Sequence, residues 1–204
     1  MVIVFDLDDT LYDEIDFVKS GFLEISEYLG SSHYFDFMWE EFLKAGSGKI
    51  FNKLIDRFKI SIPLQKLIEI YRFHKPKISL REDASNILGR IKCNISLITD
   101  GHYIMQKNKF YALNLNLYIK KPIFSDFLHS HKLEVKPFLE VMKLFPNDEY
   151  VYIGDNPQKD FTIPKRLSWI TIRLKNKRGI YSNIENNADF EILNLEEIYN
   201  TLKI

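Results

Sequence analysis

Asp6, Asp8 and Asp9 follow directly on Val2-Ile3-Val4-Phe5, an unbroken apolar run. Such a run, β-branched and aromatic, predicts a strand buried on both faces inside a parallel sheet. The carboxylates then sit at the strand's carboxyl end, where open α/β sheets bind ligands. In extended chain the side chains of Asp6 and Asp8 share a face. Carboxylates held that close repel unless a cation or a proton relieves them. An acidic surface turn is the other reading of this motif alone, and later residues decide between them. Thr99 ends a second apolar run, Lys136 precedes a helical stretch, and Asp155 closes a further run. Carboxylates suit a hard, oxygen-seeking cation, while a hydroxyl and an ammonium suit an anion. Mg²⁺ is commonly held by one or two carboxylates together with phosphate oxygens. Lysine serves phosphoryl oxygens as a compact point charge, and carboxylates can be nucleophiles that form aspartyl-phosphates.

The elements that must position these residues are legible in outline. Apolar residues at helical spacing predict helices over 15–29, 34–45, 50–58 and 64–74, broken at Gly30, at Gly46-Ser47-Gly48 and at Pro63. No strand signal interrupts them, so residues 15–77 read as an all-helical cap inserted after the first strand. From Glu82 strands and helices alternate. Helices are expected over 82–91, 105–113, 137–145 and 161–167, and strands at 95–98, 123–124, 150–153 and 169–174. That alternation predicts a doubly wound parallel sheet of Rossmann-like type, with residues 1–14 and 78–204 as an α/β catalytic core. The tail from Asn183 reads as a closing helix. The carboxyl ends of the strands lie on one edge, so Asp6, Asp8, Thr99, Lys136 and Asp155 can converge there.

Composition narrows the function further. The 204 residues are 46% hydrophobic, and Lys+Arg and Asp+Glu number 28 each. With no net charge, nothing draws the chain to nucleic acid or to an anionic membrane. No segment approaches the roughly 18 apolar residues of a membrane span. The single cysteine, Cys93, excludes an internal disulfide and suits a reducing, cytoplasmic location; it reads as a packing residue.

Four ordered motifs make the chain resemble the haloacid dehalogenase-like (HAD) phosphohydrolases. They are Asp6-Leu7-Asp8-Asp9-Thr10, Thr99-Asp100-Gly101, Lys136-Pro137, and Gly154-Asp155-Asn156-Pro157-Gln158-Lys159-Asp160, with Gln106 and Lys109 as smaller matches after the second. The resemblance implies an aspartyl-phosphate mechanism with Asp6 as nucleophile and Asp8 as general acid and base. It implies Mg²⁺ held by Asp6, Asp155 and the backbone carbonyl of Asp8. Thr99, Asp100 and Lys136 would bind the phosphoryl group, and Asp160 would support the metal shell or Lys136. Family members that cleave carbon–halogen bonds lack an acid at the position of Asp8, so phosphoryl transfer is favoured. The expected partner is a small phosphate ester, a sugar phosphate or nucleoside monophosphate, with neither nucleic acid nor membrane, and with monomer and homodimer both open. A phosphomutase of the same family and a phosphoacceptor signalling or binding module are the alternatives.

Other residues invite attention. Gly46-Ser47-Gly48-Lys49 lacks the spacing and the final Ser or Thr of a Walker loop. It reads as a joint between helices, with Lys49 a candidate for substrate specificity. His102 is a second such candidate, placed just past the Thr99 motif. His129 and His131 lack a third ligand at metal spacing and read as loop residues. Tyr34, Phe35, Phe37, Trp39 and Phe42 read as packing of the helical block, and Lys175, Lys177 and Arg178 as a solvated basic loop.

Overall fold

The computed structural model describes residues 1–204 apart from Arg178 and Ile180. The chain divides into two compact units, one of Met1–Glu14 with Ser79–Ile204, the other of Ile15–Ile78.

The larger unit is built on a parallel sheet. Its strands are β1 (Val2–Phe5), β2 (Asn94–Thr99), β3 (Ile123–Phe124), β4 (Tyr150–Gly154), β5 (Ile170–Leu174) and β6 (Phe190–Ile192). They lie in the order β3-β2-β1-β4-β5-β6, every neighbouring pair parallel. This is the doubly wound arrangement expected of alternating strands and helices. β1 is central, and all its residues are buried, as its unbroken apolar run requires. Register then fixes the ligand edge. Phe5 pairs with Leu97 on one side and Ile153 on the other, and Asp6 continues the ladder by donating its N–H to Ile153. By this register Asp6 falls level with Ile98 and Gly154, and Thr99 and Asp155 follow one residue further along the same edge.

One face of the sheet packs Val2, Val4, Ile98, Tyr152 and Trp169 against Phe138 and Val141. The latter two belong to the helix at Lys136–Leu144. Tyr150 and Trp169 stack with ring centroids 4.7 Å apart, a contact that adds about 0.5–1.5 kcal/mol to their burial.

The smaller unit holds helices at Glu14–Leu29, His33–Ala45, Ile50–Phe58 and Leu64–Phe73, the first beginning at the unit boundary. Its own core joins Val18, Phe22, Ile25, Met38, Ile50, Leu54 and Leu67, ringed by Tyr34, Phe35, Phe37, Trp39 and Phe42. Burial of such side chains contributes about 1.5–3 kcal/mol each, so the unit has an apolar centre of its own.

Two sequence expectations require correction. The tail is not one helix. Phe190–Ile192 adds the edge strand β6, and only Ile198–Leu202 is α-helical, after a short 3₁₀ turn at Leu195–Glu197. Nor does the helix expected over 82–91 run that far: it spans Glu82–Leu88, and half-buried Cys93 immediately precedes β2. No helix among the described residues is long and apolar enough to cross a membrane.

Candidate active site

Beyond β1 the chain turns sharply. Thr10 and Leu11 both donate backbone N–H groups to the carbonyl of Leu7, and Asp9 adopts a left-handed backbone with φ of 53°. Leu7, Leu11 and Tyr12 are fully buried, so the turn is anchored by its apolar residues. Asp9 faces along the chain, accepting the N–H of Glu14 at 2.9 Å. Asp6 and Asp8 face the site, whose cavity Asp9 also lines.

Asp6 is buried at 5% exposure, and the Nζ of Lys132 lies 2.6 Å from its Oδ1. The same ammonium donates to Oδ1 of Asp160 at 2.7 Å. Lys132 comes from the loop before the Lys136–Leu144 helix, and the carboxylate of Asp100 fixes it there by accepting its backbone N–H at 3.1 Å. Asp160 is fully buried and also accepts the N–H of Asn156 at 2.9 Å. Gly154 makes that approach available, since a Cβ at this position would collide with the Asp160 carboxylate. Asp6, Asp155 and Asp160 each bring a carboxylate oxygen to within 4.8 Å of the others.

Asp8 is held differently. Its Oδ1 takes the Lys109 ammonium at 2.7 Å together with the Tyr12 hydroxyl, and its Oδ2 takes the Gln106 amide at 2.7 Å. Gln106 and Lys109 lie on the buried face of the helix at Tyr103–Ala112. A cavity of about 140 Å³ opens above these groups, lined by Asp6, Asp8, Glu14, Lys132, Asp155 and Lys159, among others.

Electrostatics divide the carboxylates. Burial pushes Asp6 up to about 8, with Lys132 opposing and Asp160 and Asp8 reinforcing. Asp155 is pushed up to about 9 by burial and by its Asp6 and Asp160 neighbours. Burial also acts on Asp8, but the Lys109 ammonium and the hydrogen bonds from Lys109, Tyr12 and Gln106 hold it below the usual carboxylate range. Lys132 loses solvation on burial, yet Asp160 and Asp6 hold its pKa well above the ordinary lysine value. Three carboxyl groups face the one Lys132 ammonium, and without a cation Asp6 and Asp155 hold their protons near neutrality, a surplus of charge that forms only as they ionise. A buried, all-oxygen donor set with surplus charge fits a hard divalent cation.

Asp6, Asp8, Thr99, Asp155 and Asp160 converge at the sheet edge, and Asp100 reaches the site through Lys132. Lys136 does not. Its side chain is exposed and donates to the carbonyl of Leu128 at 2.6 Å, while the Lys132 ammonium already fills the position between Asp6 and Asp160. Lys132 occupies the position expected of it. Lys132 lies eight residues past β3 and four before Lys136, and no local pattern in the sequence favoured it over Lys136. Glu14, pushed up to about 7 by burial and by Asp8, and Tyr181 at the cavity had no sequence signal, while Lys159, part of the fourth motif, lines the cavity without having been given a role. Half-buried His102 caps the Tyr103–Ala112 helix and its carbonyl accepts the Gln106 N–H. Lys49 lies in the helical unit, exposed, beside a separate cavity with Phe22, Ile50 and Tyr71. His129 and His131 are exposed, His131 pairing with Glu134 at 3.5 Å. In the basic loop, Lys175 pairs with Glu191, Lys177 is exposed, and Arg178 lies outside the described residues.

Comparison with known proteins agrees with this geometry. Residues 3–169 match the model of the haloacid dehalogenase-like hydrolases. A glyceraldehyde 3-phosphate phosphatase of Methanocaldococcus jannaschii is 27% identical over 227 residues, covering 98% of this chain and 96% of the relative. One of the same name from Pyrococcus furiosus is 28% identical over 224 residues, covering 99% and 92%. Among solved structures, the magnesium-bound HAD-hydrolase YfnB of Bacillus subtilis superposes with a TM-score of 0.72 at 18% identity, covering 100% of this chain and 98% of that one. The last likeness is one of fold. With its Asp6 motif, its sheet order and its acidic edge in place, the chain belongs to the haloacid dehalogenase-like hydrolase family.

Proposed function

We propose that the protein is a Mg²⁺-dependent phosphatase of a small phosphorylated metabolite, a sugar phosphate first of all, acting through an aspartyl-phosphate at Asp6. The observation that carries this reading is the Asp6 carboxylate, gripped by Lys132 and set beside Asp155 and Asp160. The names of the two phosphatase relatives support glyceraldehyde 3-phosphate as the first substrate to test.

Asp6, Asp155 and the backbone of Asp8 would hold the cation, with Asp160 in support through its bonds to Lys132 and Asn156. When bound, Mg²⁺ supplies charge neutralisation that keeps the carboxylates ionised and draws phosphate oxygens into the site. Lys132 aims a fixed positive charge at the transferring group, where it stabilises negative charge developing in the transition state. The Asp6 carboxylate attacks phosphorus, the bond from phosphorus to the ester oxygen breaks, and Asp8 donates a proton to the departing oxygen. Asp8 then takes a proton from the water that attacks the aspartyl-phosphate, and inorganic phosphate leaves. The Lys109 ammonium favours the ionised form of Asp8, which suits the second half of the cycle. The helical unit would act as a cap that selects substrates and excludes water during the reaction.

Phosphate release from glyceraldehyde 3-phosphate, other sugar phosphates and nucleoside monophosphates, with and without Mg²⁺, tests this directly. Mg²⁺-dependent release favouring a triose or other sugar phosphate is expected. Full activity in excess chelator, or no release from any ester, would contradict it.

A further inference from the structure

Gln106 is a fully buried polar residue on a helix face otherwise turned to the core. Its Nε2 lies 2.7 Å from Oδ2 of Asp8 and 2.5 Å from Oγ1 of Thr99. The orientation of the amide follows from its neighbours. Asp8, whose other oxygen receives the Lys109 ammonium and the Tyr12 hydroxyl, is a carboxylate and can only accept. The amide nitrogen must therefore face Asp8, since the opposite flip would set oxygen against oxygen. The same nitrogen then donates to Thr99, and the Gln106 Oε1 is left buried without a hydrogen-bond partner.

This arrangement fixes the polarity of Thr99. Its hydroxyl accepts from Gln106, so its single hydrogen cannot point there. The protein contact left for that hydrogen is a long one, 3.4 Å to the Asp100 carbonyl. The hydroxyl is thus prepared to donate to an incoming anionic oxygen. Gly101 is part of the same device. Its φ is +117°, and a Cβ there would stand 3.3 Å from the Gln106 Cδ, tight against the amide that Thr99 and Asp8 share.

We propose that Gln106 is a positioning residue of the phosphoryl-transfer reaction, its amide turning the Thr99 hydroxyl into a donor toward the phosphoryl group and tying it to Asp8. The proposal rests on the phosphatase reading above. It assigns no contact between Gln106 and the substrate, because the residue is enclosed and acts through Thr99.

A double-mutant cycle tests it, using Gln106→Met, Thr99→Val and the combined variant. Each is assayed with glyceraldehyde 3-phosphate, with inorganic phosphate as competitive inhibitor, and by thermal melting. Gln106→Met keeps length and removes the donor. It should lower kcat by about 10–100-fold, the scale of misplaced reacting groups, and weaken inhibition by phosphate. In the Thr99→Val background the same change should cost less than about 3-fold, because coupled residues are not additive. Losses that multiply independently in the two backgrounds, or wild-type turnover in Gln106→Met, would overturn the role. If Gln106→Met melts early, Gln106→Glu keeps the side chain's shape and enters the same cycle. A loss confined to the Thr99 background supports the proposal, and equal loss in both overturns it. Wild-type protein that releases phosphate from no ester would overturn the phosphatase reading, and this role with it, before any variant is compared.

Discussion

Lys132 reaches across from the loop after β3 to place its ammonium 2.6 Å from the carboxylate of Asp6, just past the end of β1 and more than a hundred residues earlier in the chain. Both residues are almost fully enclosed, with side-chain exposures of 5% and 7%. A pair so placed is costly to break, since the surviving charge is left buried and uncompensated.

Lys132→Met should therefore lower kcat by about 10²–10³-fold, the range seen when one donor to a developing anion is lost. Lys136→Met should stay within about 3-fold of wild type, since exposed residues outside a site have small effects. Steady-state kinetics of the two variants side by side checks the assignment. Equal losses, or a larger loss at Lys136, would contradict it.

The difference between those lysines shows where sequence reasoning stopped. The Asp6 turn was legible because an apolar run followed by carboxylates has few structural meanings. The same holds for Gly154-Asp155, where β4 ends in a residue that needs no Cβ. Lys136-Pro137 read as the site lysine because it matched the lysine motif of the family resemblance at the start of a helix. What decides the matter is the Asp100 carboxylate bonding to the Lys132 backbone at 3.1 Å, a contact between segments that no local pattern encodes. The strand at Phe190–Ile192 was missed for a related reason. It is short and on the sheet edge, and Asp189 and Glu191 give it the polarity of a loop.

Metal-free protein should lose stability as pH rises from about 4 toward 8. Folded Asp6 keeps its proton to about 8 and Asp155 to about 9, whereas unfolded aspartate releases it near ~3.9. Across that window the folded state binds more protons, so its stability falls with pH. Asp8 and Lys132, shifted down and up respectively, act outside this window. Melting in chelator at pH 5.5 and pH 8 should show the lower Tm at pH 8, and added Mg²⁺ should raise Tm more there. A larger Mg²⁺ effect at pH 5.5 would contradict the cation site.

Asp155→Asn should act on the same cluster from the other side. Removing one of its carboxylates weakens a site that depends on charge, so the Mg²⁺ concentration for half-maximal activity should rise by about 10-fold or more. It also removes a repulsive neighbour of Asp6, so the chelated variant should melt above chelated wild type at pH 8. An unchanged Mg²⁺ requirement would exclude Asp155 as a ligand.

The hold on Asp8 has a consequence for leaving groups. Protonated Asp8 becomes scarcer as pH rises above its depressed pKa. A sugar hydroxyl needs that proton on departure, and general acid catalysis is worth about 10²–10⁴-fold. An aryl phenolate departs without it. The ratio of kcat/KM for a sugar phosphate to that for an aryl phosphate should therefore fall from pH 6 to pH 8. A ratio that rises would remove Asp8 from the donor role.

The helical unit owns its apolar core, with Phe22, Ile25, Met38 and Leu54 at its centre. Replacing residues 17–73 with a short flexible linker should leave a cooperatively melting sheet unit. Discrimination among sugar phosphates should collapse while slow hydrolysis of an aryl phosphate continues. Loss of the melting transition would mean that the sheet unit depends on the helices for its own stability.

Covalent chemistry at Asp6 is tested most directly by rapid-quench trapping of the enzyme during turnover of an aryl phosphate in Mg²⁺. Wild type should yield an acid-stable, hydroxylamine-sensitive phosphoenzyme. Asp8→Asn should release a stoichiometric burst of phenolate and then stall as that species accumulates. Asp6→Asn should give neither phosphoenzyme nor turnover while remaining folded. Sustained turnover by Asp6→Asn, or a phosphoryl group trapped on another residue, would contradict the mechanism.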